Sequence, residues 1–588
     1  MFMKTKLVIY QVFTRTFGNK NLTKKEYGTL AENGAGKMND FDEGVLRHIH
    51  DLGVTHLWYT GVIRHATCTD YSSFGIPTQN PRVVKGRAGS PYAITDYYDI
   101  DPDIAVDVDA RMAEFESLVA RTHAEGMKII IDFVPNHVAR QYKSIAKPKG
   151  VEDLGEGDDT GKHFDPQNNF YYCPGEQLDL SGVVENTYAH DAEAYHEFPA
   201  KCTGNDRFDS HPQQNDWYET IKLNYGVDYC DAGGRSYHYH PIPSTWKKMT
   251  DILLFWAAKG VDGFRCDMAE MVPHEFWAYA TQQVKERYPE MIFIGEVYDP
   301  NQYRMYVESG FDYLYDKVGM YDCIRGVICG ERSASSITHE WQQVDDIRDH
   351  MLYFLENHDE QRIASDFFAG NPWKGVPGMI VSALLQQNPV MIYAGQEFGE
   401  KGMDKEGFSG QDGRSTIFDY WTSDTVYKGF FNRDALTTDE KKLSLIYQGL
   451  LRFCNREKAV REGLTFDLMY VNHQSHQFNP YKQFVFLRKA DDEVLLVVAN
   501  FDQERVQINV TIPAHAFDFL GITEQEVEMT DLLSGFTKVV DLKRDGQVAL
   551  DIEATQGRWG LDSHAMGAQW EAGLRLRCVG RASWTAGI

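Results

Sequence analysis

The sequence predicts an α/β fold: a (β/α)8 TIM barrel with a domain inserted after its third strand and a C-terminal all-β sandwich. Short apolar runs alternate with amphipathic helical patterns over roughly the first 460 residues, which is typical of a parallel sheet with helical crossovers. Four of these runs end in charged or polar residues. Because an unpaired buried charge costs several kcal/mol, charges at four successive strand ends indicate that one face of the sheet gathers them into a site.

The predicted elements follow in chain order. Apolar runs predict barrel strands at 7–13, 55–59, 128–133, 263–267, 292–296, 313–315, 352–356 and 390–393. Helical periodicity falls between several of them, at 109–125, 245–259, 275–288 and 376–387. After a helix at 441–456 the pattern changes to short strands at 483–487, 494–499, 506–512 and 548–552. Eight parallel strands close most economically into a barrel, and the later strands predict a separate β domain.

One connection is too long for a loop of the barrel. More than a hundred residues, rich in Gly, Asp, Asn and Tyr, separate His137 from the next predicted strand. Such a length is uncommon unless the segment is functional or folds independently. We therefore predict a catalytic barrel at 1–138 and 246–465, an inserted domain at 139–245 and a sandwich at 466–588. The last thirty residues, with Trp559, Trp570 and Trp584, carry no predicted role.

Composition excludes several classes of function. The 59 basic and 86 acidic residues give a net charge of −27, which argues against a nucleic-acid partner. No stretch approaches the ~18 apolar residues of a membrane helix, and the N-terminus lacks a signal-peptide pattern. The nine cysteines show no paired zinc-type spacing. We therefore expect a cytoplasmic protein with reduced thiols and no membrane partner, and we assign no residue as a metal ligand.

The strand ends carry groups suited to cleaving a glycosidic bond, which needs one protonated and one ionised carboxyl group. Asp267 follows Arg265 by two residues, so both side chains share one face of a strand, and the guanidinium favours an ionised nucleophile. Glu296 ends an apolar strand without a basic neighbour in sequence, which favours a protonated acid/base. Asp359, beside His358, offers a third carboxylate.

The sequence resembles the α-amylase family, glycoside hydrolase family 13. The motifs are Asp132-Phe-Val-Pro-Asn-His137, Gly263-Phe-Arg-Cys-Asp267, Gly295-Glu296-Val and Glu356-Asn-His-Asp359, in the family's order. Supporting matches run from Tyr10-Gln-Val-Phe13 to Tyr393-Ala-Gly-Gln-Glu397. The resemblance implies a retaining mechanism with a covalent glycosyl-enzyme intermediate, α-glucan substrates and no required cofactor.

The resemblance also implies a role for each residue. Asp267 would be the nucleophile, Glu296 the general acid/base and Asp359 the transition-state stabiliser. His137 and His358 would bind sugar hydroxyls, and Arg265 would orient the nucleophile. Tyr92 would stack under the sugar, and the supporting residues would be Asp96, Asp132 and Asn136. Trp58 and Trp217 are further candidate stacking faces. Three alternatives stay open: that Asp132 only organises neighbouring loops, that His137 is a structural histidine, and that Tyr92 only packs in the core.

Two departures from the family pattern concern specificity and calcium. The run Thr220-Ile-Lys-Leu-Asn224 places Lys222 where many α-amylases have a calcium-binding Asp. Its ammonium would replace the cation, so we predict that the usual calcium site is absent, while calcium elsewhere stays possible. Lys222 and Glu270 resemble the neopullulanase and cyclomaltodextrinase group, whereas Glu356-Asn357 resembles ordinary α-amylases.

The sequence thus predicts a retaining hydrolase of α-1,4-glucosidic bonds in maltodextrin or starch. A neopullulanase or cyclomaltodextrinase, or an α-glucan transglycosylase, is the alternative with the same chemistry. A catalytically silent carbohydrate-binding relative is the alternative from another class.

Overall fold

The computed structural model describes residues 5–402, 411–533 and 535–552, together with the backbone of a strand at 574–578. Trp559, Trp570 and Trp584 lie outside the described residues. None of the helices within the described ranges is long and apolar enough to span a bilayer.

Eight parallel strands form a closed barrel, which confirms the predicted fold class. Each strand pairs with its neighbours in chain order, and the first strand pairs with both the second and the eighth. The strands are β1 Val8–Phe13, β2 His56–Thr60, β3 Lys128–Phe133, β4 Gly263–Cys266, β5 Ile292–Gly295, β6 Tyr313–Tyr315, β7 Met351–Phe354 and β8 Val390–Tyr393.

The barrel interior is a packed apolar cluster rather than a pore. Because side chains alternate along a strand, one set points inward and the other packs under the helices. The inward set includes Ile9, Ile130, Ile294 and Met391. Trp58 belongs to the same cluster and is almost fully buried. The suggestion that Trp58 offers a stacking face is therefore wrong.

The helices surround this barrel. The longer ones are α1 Glu43–Asp51, α2 Arg111–Ala124, α3 Ser244–Ala258, α4 His274–Arg287, α5 Tyr303–Glu308, α6 Asp322–Ile328, α7 Ser336–Gln343, α8 Val376–Leu384, α9 Asp424–Phe431 and α10 Thr438–Arg456. Helix α10 begins before the predicted residue 441, since Thr437 and Glu440 form a capping box that satisfies its first backbone N–H groups.

The long connection between β3 and α3 contains only short strand pairs. His137–Ala139 pairs with Thr220–Lys222, and Tyr172–Cys173 pairs with Ala200–Lys201, both antiparallel. The first ladder places His137 opposite Lys222. The segment thus returns repeatedly to the end of β3, where the predicted site lies. The exact boundaries of the inserted domain stay a prediction.

The C-terminal part consists mainly of antiparallel strands, as predicted, but it also contains the short helices Met469–Asn472 and Ala514–Leu520. Its strands are β9 Leu464–Asp467, β10 Gln483–Ala490, β11 Glu493–Asn500, β12 Val506–Ile512, β13 Gln525–Asp531, β14 Thr537–Leu542, β15 Gly546–Ile552 and β16 Leu574–Cys578. They form a six-stranded sheet in the order β9-β10-β11-β16-β13-β14 and a two-stranded sheet of β12 and β15. All pairs are antiparallel.

Candidate active site

Four carboxyl groups converge on one guanidinium at the C-terminal ends of the barrel strands. Arg265, on β4, is completely buried. Its Nη1 lies 2.8 Å from Asp267 Oδ1 and 3.4 Å from Asp132 Oδ1. Its Nη2 lies 2.8 Å from Glu296 Oε2 and 3.9 Å from Asp359 Oδ2. The strand ends that the sequence singled out therefore meet at one point in space.

The surroundings of Glu296 correct one sequence-based argument. Although Glu296 has no basic neighbour along the chain, Arg265 contacts it across the β4–β5 pair. The backbone N–H of Met268 also donates to Glu296 Oε2 over 2.8 Å, and the Tyr298 hydroxyl donates to Oε1. Glu296 is therefore not isolated from positive charge, and it competes with the neighbouring carboxyls for the two terminal nitrogens of Arg265.

That competition shows in the electrostatics of the cluster. Burial raises the pKa of Asp267 well above its usual 3.8; Arg265 opposes this, and the neighbouring Glu296, Asp359 and Asp132 reinforce it. Burial likewise raises the pKa of Asp132. Burial also opposes ionisation of Asp359, but His358 and Arg265 outweigh it and lower that pKa to about 2. The same surroundings therefore shift the pKa values of Asp267 and Asp359 in opposite directions.

Tyr92 and His358 form one wall of this cluster. The Tyr92 hydroxyl donates to Asp132 Oδ1 over 3.2 Å, and its ring stacks on His358 with centroids 5.2 Å apart. His358 Nε2 lies 3.0 Å from Asp359 Oδ2. The amide of Gln11, on β1, contacts the other ring nitrogen of His358 at 2.8 Å. Gln11 had no predicted role, although it stands in the Tyr10–Phe13 motif, and here it fixes the orientation of His358.

A cavity of about 280 Å³ opens beside the cluster. Of the predicted residues, it is lined by Tyr92, His137, Trp217, Asp267, Glu296 and Asp359. The side chain of Asp359 is 39% exposed, so this carboxylate faces the cavity. His358 and Arg265 lie behind the lining and reach the cavity through the groups that they contact.

Residues that the sequence did not single out complete the wall. Lys85 pairs with Glu219 at 3.0 Å, and Tyr298, Ile417 and Phe418 also line the cavity. They come from loops after β2, β5 and β8 and from the inserted segment, where no periodicity identifies which side chain faces inward. Of the two tryptophans suggested as stacking faces, Trp217 lines the cavity and Trp58 does not. The ring centroid of Trp217 lies 5.2 Å from that of His137.

Comparison with known proteins agrees with this arrangement. The family described as "Alpha amylase, catalytic domain" matches residues 11–495. The chain belongs to the α-amylase family. It is similar to alpha-amylase 3 of Dictyoglomus thermophilum, with 22% identity over 91% of this chain and 93% of the relative. It is also 22% identical to neopullulanase 2 of Thermoactinomyces vulgaris, over 86% of this chain and 71% of that protein.

Solved structures of the family share the fold. The α-amylase of Geobacillus thermoleovorans in complex with acarbose superimposes with a TM-score of 0.62 at 17% identity, covering 99% of this chain and 100% of that one. The noncanonic maltogenic α-amylase AmyB of Thermotoga neapolitana gives a TM-score of 0.58 at 19% identity, covering 93% and 96%.

None of the predicted supporting residues lines the cavity, and two of them, Asp96 and Glu270, hold neighbouring loops in place. Asp96 is fully buried and accepts hydrogen bonds from Arg64, Ser144 and the backbone of residues 145 and 146. It therefore fixes the chain that enters the inserted segment. Glu270 accepts from the backbone N–H groups of Tyr298 and Asp299, at 2.9 and 3.0 Å. Glu270 thus holds the loop that carries Tyr298 to Glu296.

Lys222 stands among oxygen atoms that would suit a cation. Its buried Nζ contacts Asn136 Oδ1, lies 2.6 Å from Asp206 Oδ1 and 3.3 Å from the Met271 carbonyl oxygen. An ammonium in direct contact with these oxygens leaves no position for a second positive charge there. The residues present do not fit the calcium that many α-amylases hold next to this asparagine. Burial, with Lys222 and Lys85 nearby, lowers the pKa of the adjacent His137 to about 3.

We predict that no calcium binds at Asn136. Purified protein is expected to retain no stoichiometric calcium in elemental analysis. Replacing Lys222 with Asp should create a cation site from the same oxygens, so that the melting temperature of the variant, but not of the wild type, rises with millimolar calcium. One tightly held calcium ion per wild-type chain, lost on substitution of Asn136, would contradict the prediction.

Proposed function

We propose that this protein is a retaining glycoside hydrolase that cleaves α-1,4-glucosidic bonds in maltodextrin- or starch-type glucans. One observation carries the proposal: Asp267, Glu296 and Asp359 face one cavity and share the field of a single buried guanidinium. Paired carboxyls, one attacking and one donating a proton, are the machinery of glycoside hydrolysis. Family membership supports α-glucans as the substrates.

In the proposed reaction, a carboxylate oxygen of Asp267 attacks the anomeric carbon while Glu296 protonates the departing glycosidic oxygen. The resulting ester joins the sugar to Asp267. Glu296, now ionised, accepts a proton from water, and that water breaks the ester with retention of configuration. Asp359, which keeps its charge because its pKa is low, stabilises the positive charge that develops on the sugar.

The side chains around the carboxyls position these groups. Arg265 holds Asp267 and Glu296 through its two terminal nitrogens, so the two carboxyls keep a constant relative placement. Tyr92 and Trp217 present aromatic surface to the cavity, which suits the apolar faces of glucose rings. The cavity volume of about 280 Å³ accommodates only a short part of a glucan chain.

A product profile on maltoheptaose, pullulan and γ-cyclodextrin tests the proposal. Shorter maltodextrins released initially as the α-anomer, observed by NMR, are the expected result. Products longer than maltoheptaose would instead show transglycosylation, and panose from pullulan would show neopullulanase action. Lys222 and Glu270 favour this second candidate function. Initial release of the β-anomer would contradict the retaining mechanism.

A silent carbohydrate-binding relative remains the alternative from another class. It predicts oligosaccharide binding without release of reducing sugar from any of the three substrates. The preserved contacts of Asp267 and Glu296 with Arg265 argue against it, because a binding protein has no need of paired carboxyls at one guanidinium.

The pH profile of kcat/KM is expected to show the raised pKa of Asp267. Since Asp267 must be ionised to attack, activity is present above its pKa and is lost as the pH falls through it. Burial places that pKa well above 3.8, so the acid limb should have its midpoint clearly above 3.8. The Asp359→Asn variant lacks a negative charge that raises the pKa of Asp267. The acid limb of its residual activity should therefore move to lower pH. An unchanged midpoint in this variant would contradict the coupling.

A further inference from the structure

A cluster of metal-ligating side chains lies in the inserted segment, away from the candidate active site. His163, Cys173 and Cys202 each present a ligand atom, and the three atoms all lie within 4.8 Å of one another. Cys173 and Cys202 are buried, and their sulfur atoms are 3.8 Å apart. In a tetrahedral zinc site with Zn–S bonds of about 2.3 Å, the separation of two sulfurs is about 3.8 Å.

The histidine is oriented as a ligand would be. His163 Nδ1 lies 2.6 Å from the carbonyl oxygen of Tyr172, so Nδ1 carries the proton and Nε2 keeps its lone pair. Histidines that bind metals commonly donate their second ring N–H to a backbone carbonyl in this way. A merely packed pair of cysteines, or a disulfide between them, does not require a histidine fixed against them in this tautomer.

We propose that His163, Cys173 and Cys202 bind one zinc ion, with a water molecule or a further side chain at the fourth position. Cysteine thiolates and histidine nitrogens are the ligands that zinc commonly takes in proteins. Binding releases the thiol protons of the cysteines, so affinity increases with pH. The site is independent of the proposed glycosidase function.

The position of the site gives the metal a structural purpose. It joins three stretches of a segment that has only two- and three-residue strands and a small aromatic core around Tyr171 and Phe208. The carbonyl oxygen of Cys202 accepts a hydrogen bond from the backbone of Lys222, over 2.9 Å. The carbonyl of Gly204 accepts one from Asn136, over 2.8 Å. A metal at Cys202 would therefore secure the chain that supports Asn136 and His137.

The full-length protein, purified without chelators under reducing conditions, is expected to contain one zinc ion per chain by elemental analysis. Substitution of zinc by Co²⁺ should give the sulfur-to-cobalt charge-transfer band and the strong visible bands of a tetrahedral thiolate site. Cys173→Ser and Cys202→Ser should lose both the zinc and these bands. Cys323→Ser, a buried cysteine on α6 in the barrel domain, is the matched control and should keep them.

A further variant keeps the test decisive if the serine variants fail to fold. His163 is only half-buried, so His163→Gln should fold and yet release zinc to a chromogenic chelator far more readily. Loss of an outer-shell partner alone costs about 10–100-fold in affinity, so loss of a ligand should cost at least that much.

Removal of zinc from the wild type should lower the melting temperature, and Zn²⁺ but not Ca²⁺ should restore it. Two results would overturn the proposal. One is a zinc-free protein whose non-reducing peptide map shows a Cys173–Cys202 disulfide. The other is zinc content that is the same in the wild type and in His163→Gln, Cys173→Ser and Cys202→Ser.

Discussion

Replacing Asp267 with Asn is expected to lower kcat on maltoheptaose by about 10⁴-fold or more, the scale on which loss of a catalytic nucleophile acts. The amide cannot form the glycosyl ester, so the reaction loses its covalent intermediate. The substitution is nearly isosteric, and the amide oxygen can still accept a hydrogen bond from Arg265 Nη1. In the wild type this nitrogen lies 2.8 Å from Asp267 Oδ1. The variant should therefore fold and still bind maltoheptaose, as measured by calorimetry.

Asp346→Asn is the matched control, because Asp346 is an exposed aspartate that pairs with Arg304 far from the cavity. It should retain wild-type kcat. Activity of Asp267→Asn within about ten-fold of the wild type would exclude Asp267 as the nucleophile. If the wild type and Asp267→Asn both bind maltoheptaose and neither releases reducing sugar, the silent relative is the correct alternative.

Replacing Glu296 with Gln is expected to lower kcat on maltoheptaose by about 10²–10⁴-fold, the usual contribution of general acid–base catalysis. The loss should depend on the leaving group. Fluoride departs from α-maltosyl fluoride without protonation, so formation of the intermediate from this substrate should change little. The second step still lacks its base, and added azide should accelerate it and yield a maltosyl azide. Gln keeps one acceptor oxygen for the Met268 N–H, and its amide N–H can donate to the Tyr298 hydroxyl oxygen, which reverses that hydrogen bond.

The control for this experiment is Glu308→Gln at the exposed C-terminal end of α5, where no change is expected. An equal loss of activity on maltoheptaose and on α-maltosyl fluoride would argue that Glu296 acts on binding or folding. Absence of an azide product would argue against its role as the base. Either result would move the acid/base assignment to another carboxyl of the cluster.

Much of the fold and the centre of the candidate site were predictable because both follow from local patterns. Apolar runs of three to seven residues specify buried parallel strands, and parallel strands place their carboxyl ends on one face. Asp267 and Glu296, each the first residue after a strand, were therefore bound to approach each other. The sequence predicted helix α10 but placed its start too late in the chain, since the capping box at Thr437 carries a weaker signal than the apolar stripe.

Contacts between distant segments were not predictable. The link from Arg265 to Glu296 depends on the pairing of β4 with β5, and the position of Tyr298 depends on a loop held by Glu270. The local pattern also does not say whether an aromatic residue of a barrel strand fills the interior, as Trp58 does, or lines a cavity, so the suggestion that Trp58 is a stacking face was wrong.

The sequence by itself thus determined the barrel, the four charged strand ends and the family, since each rests on residues close together in the chain. Only the tertiary structure decided which carboxyl groups contact Arg265, which loops enclose the cavity and that His163, Cys173 and Cys202 meet. The three ligands are 10 and 29 residues apart along the chain, in a segment without long strands or helices. Their meeting is set by the packing of loops, and no local spacing encodes it.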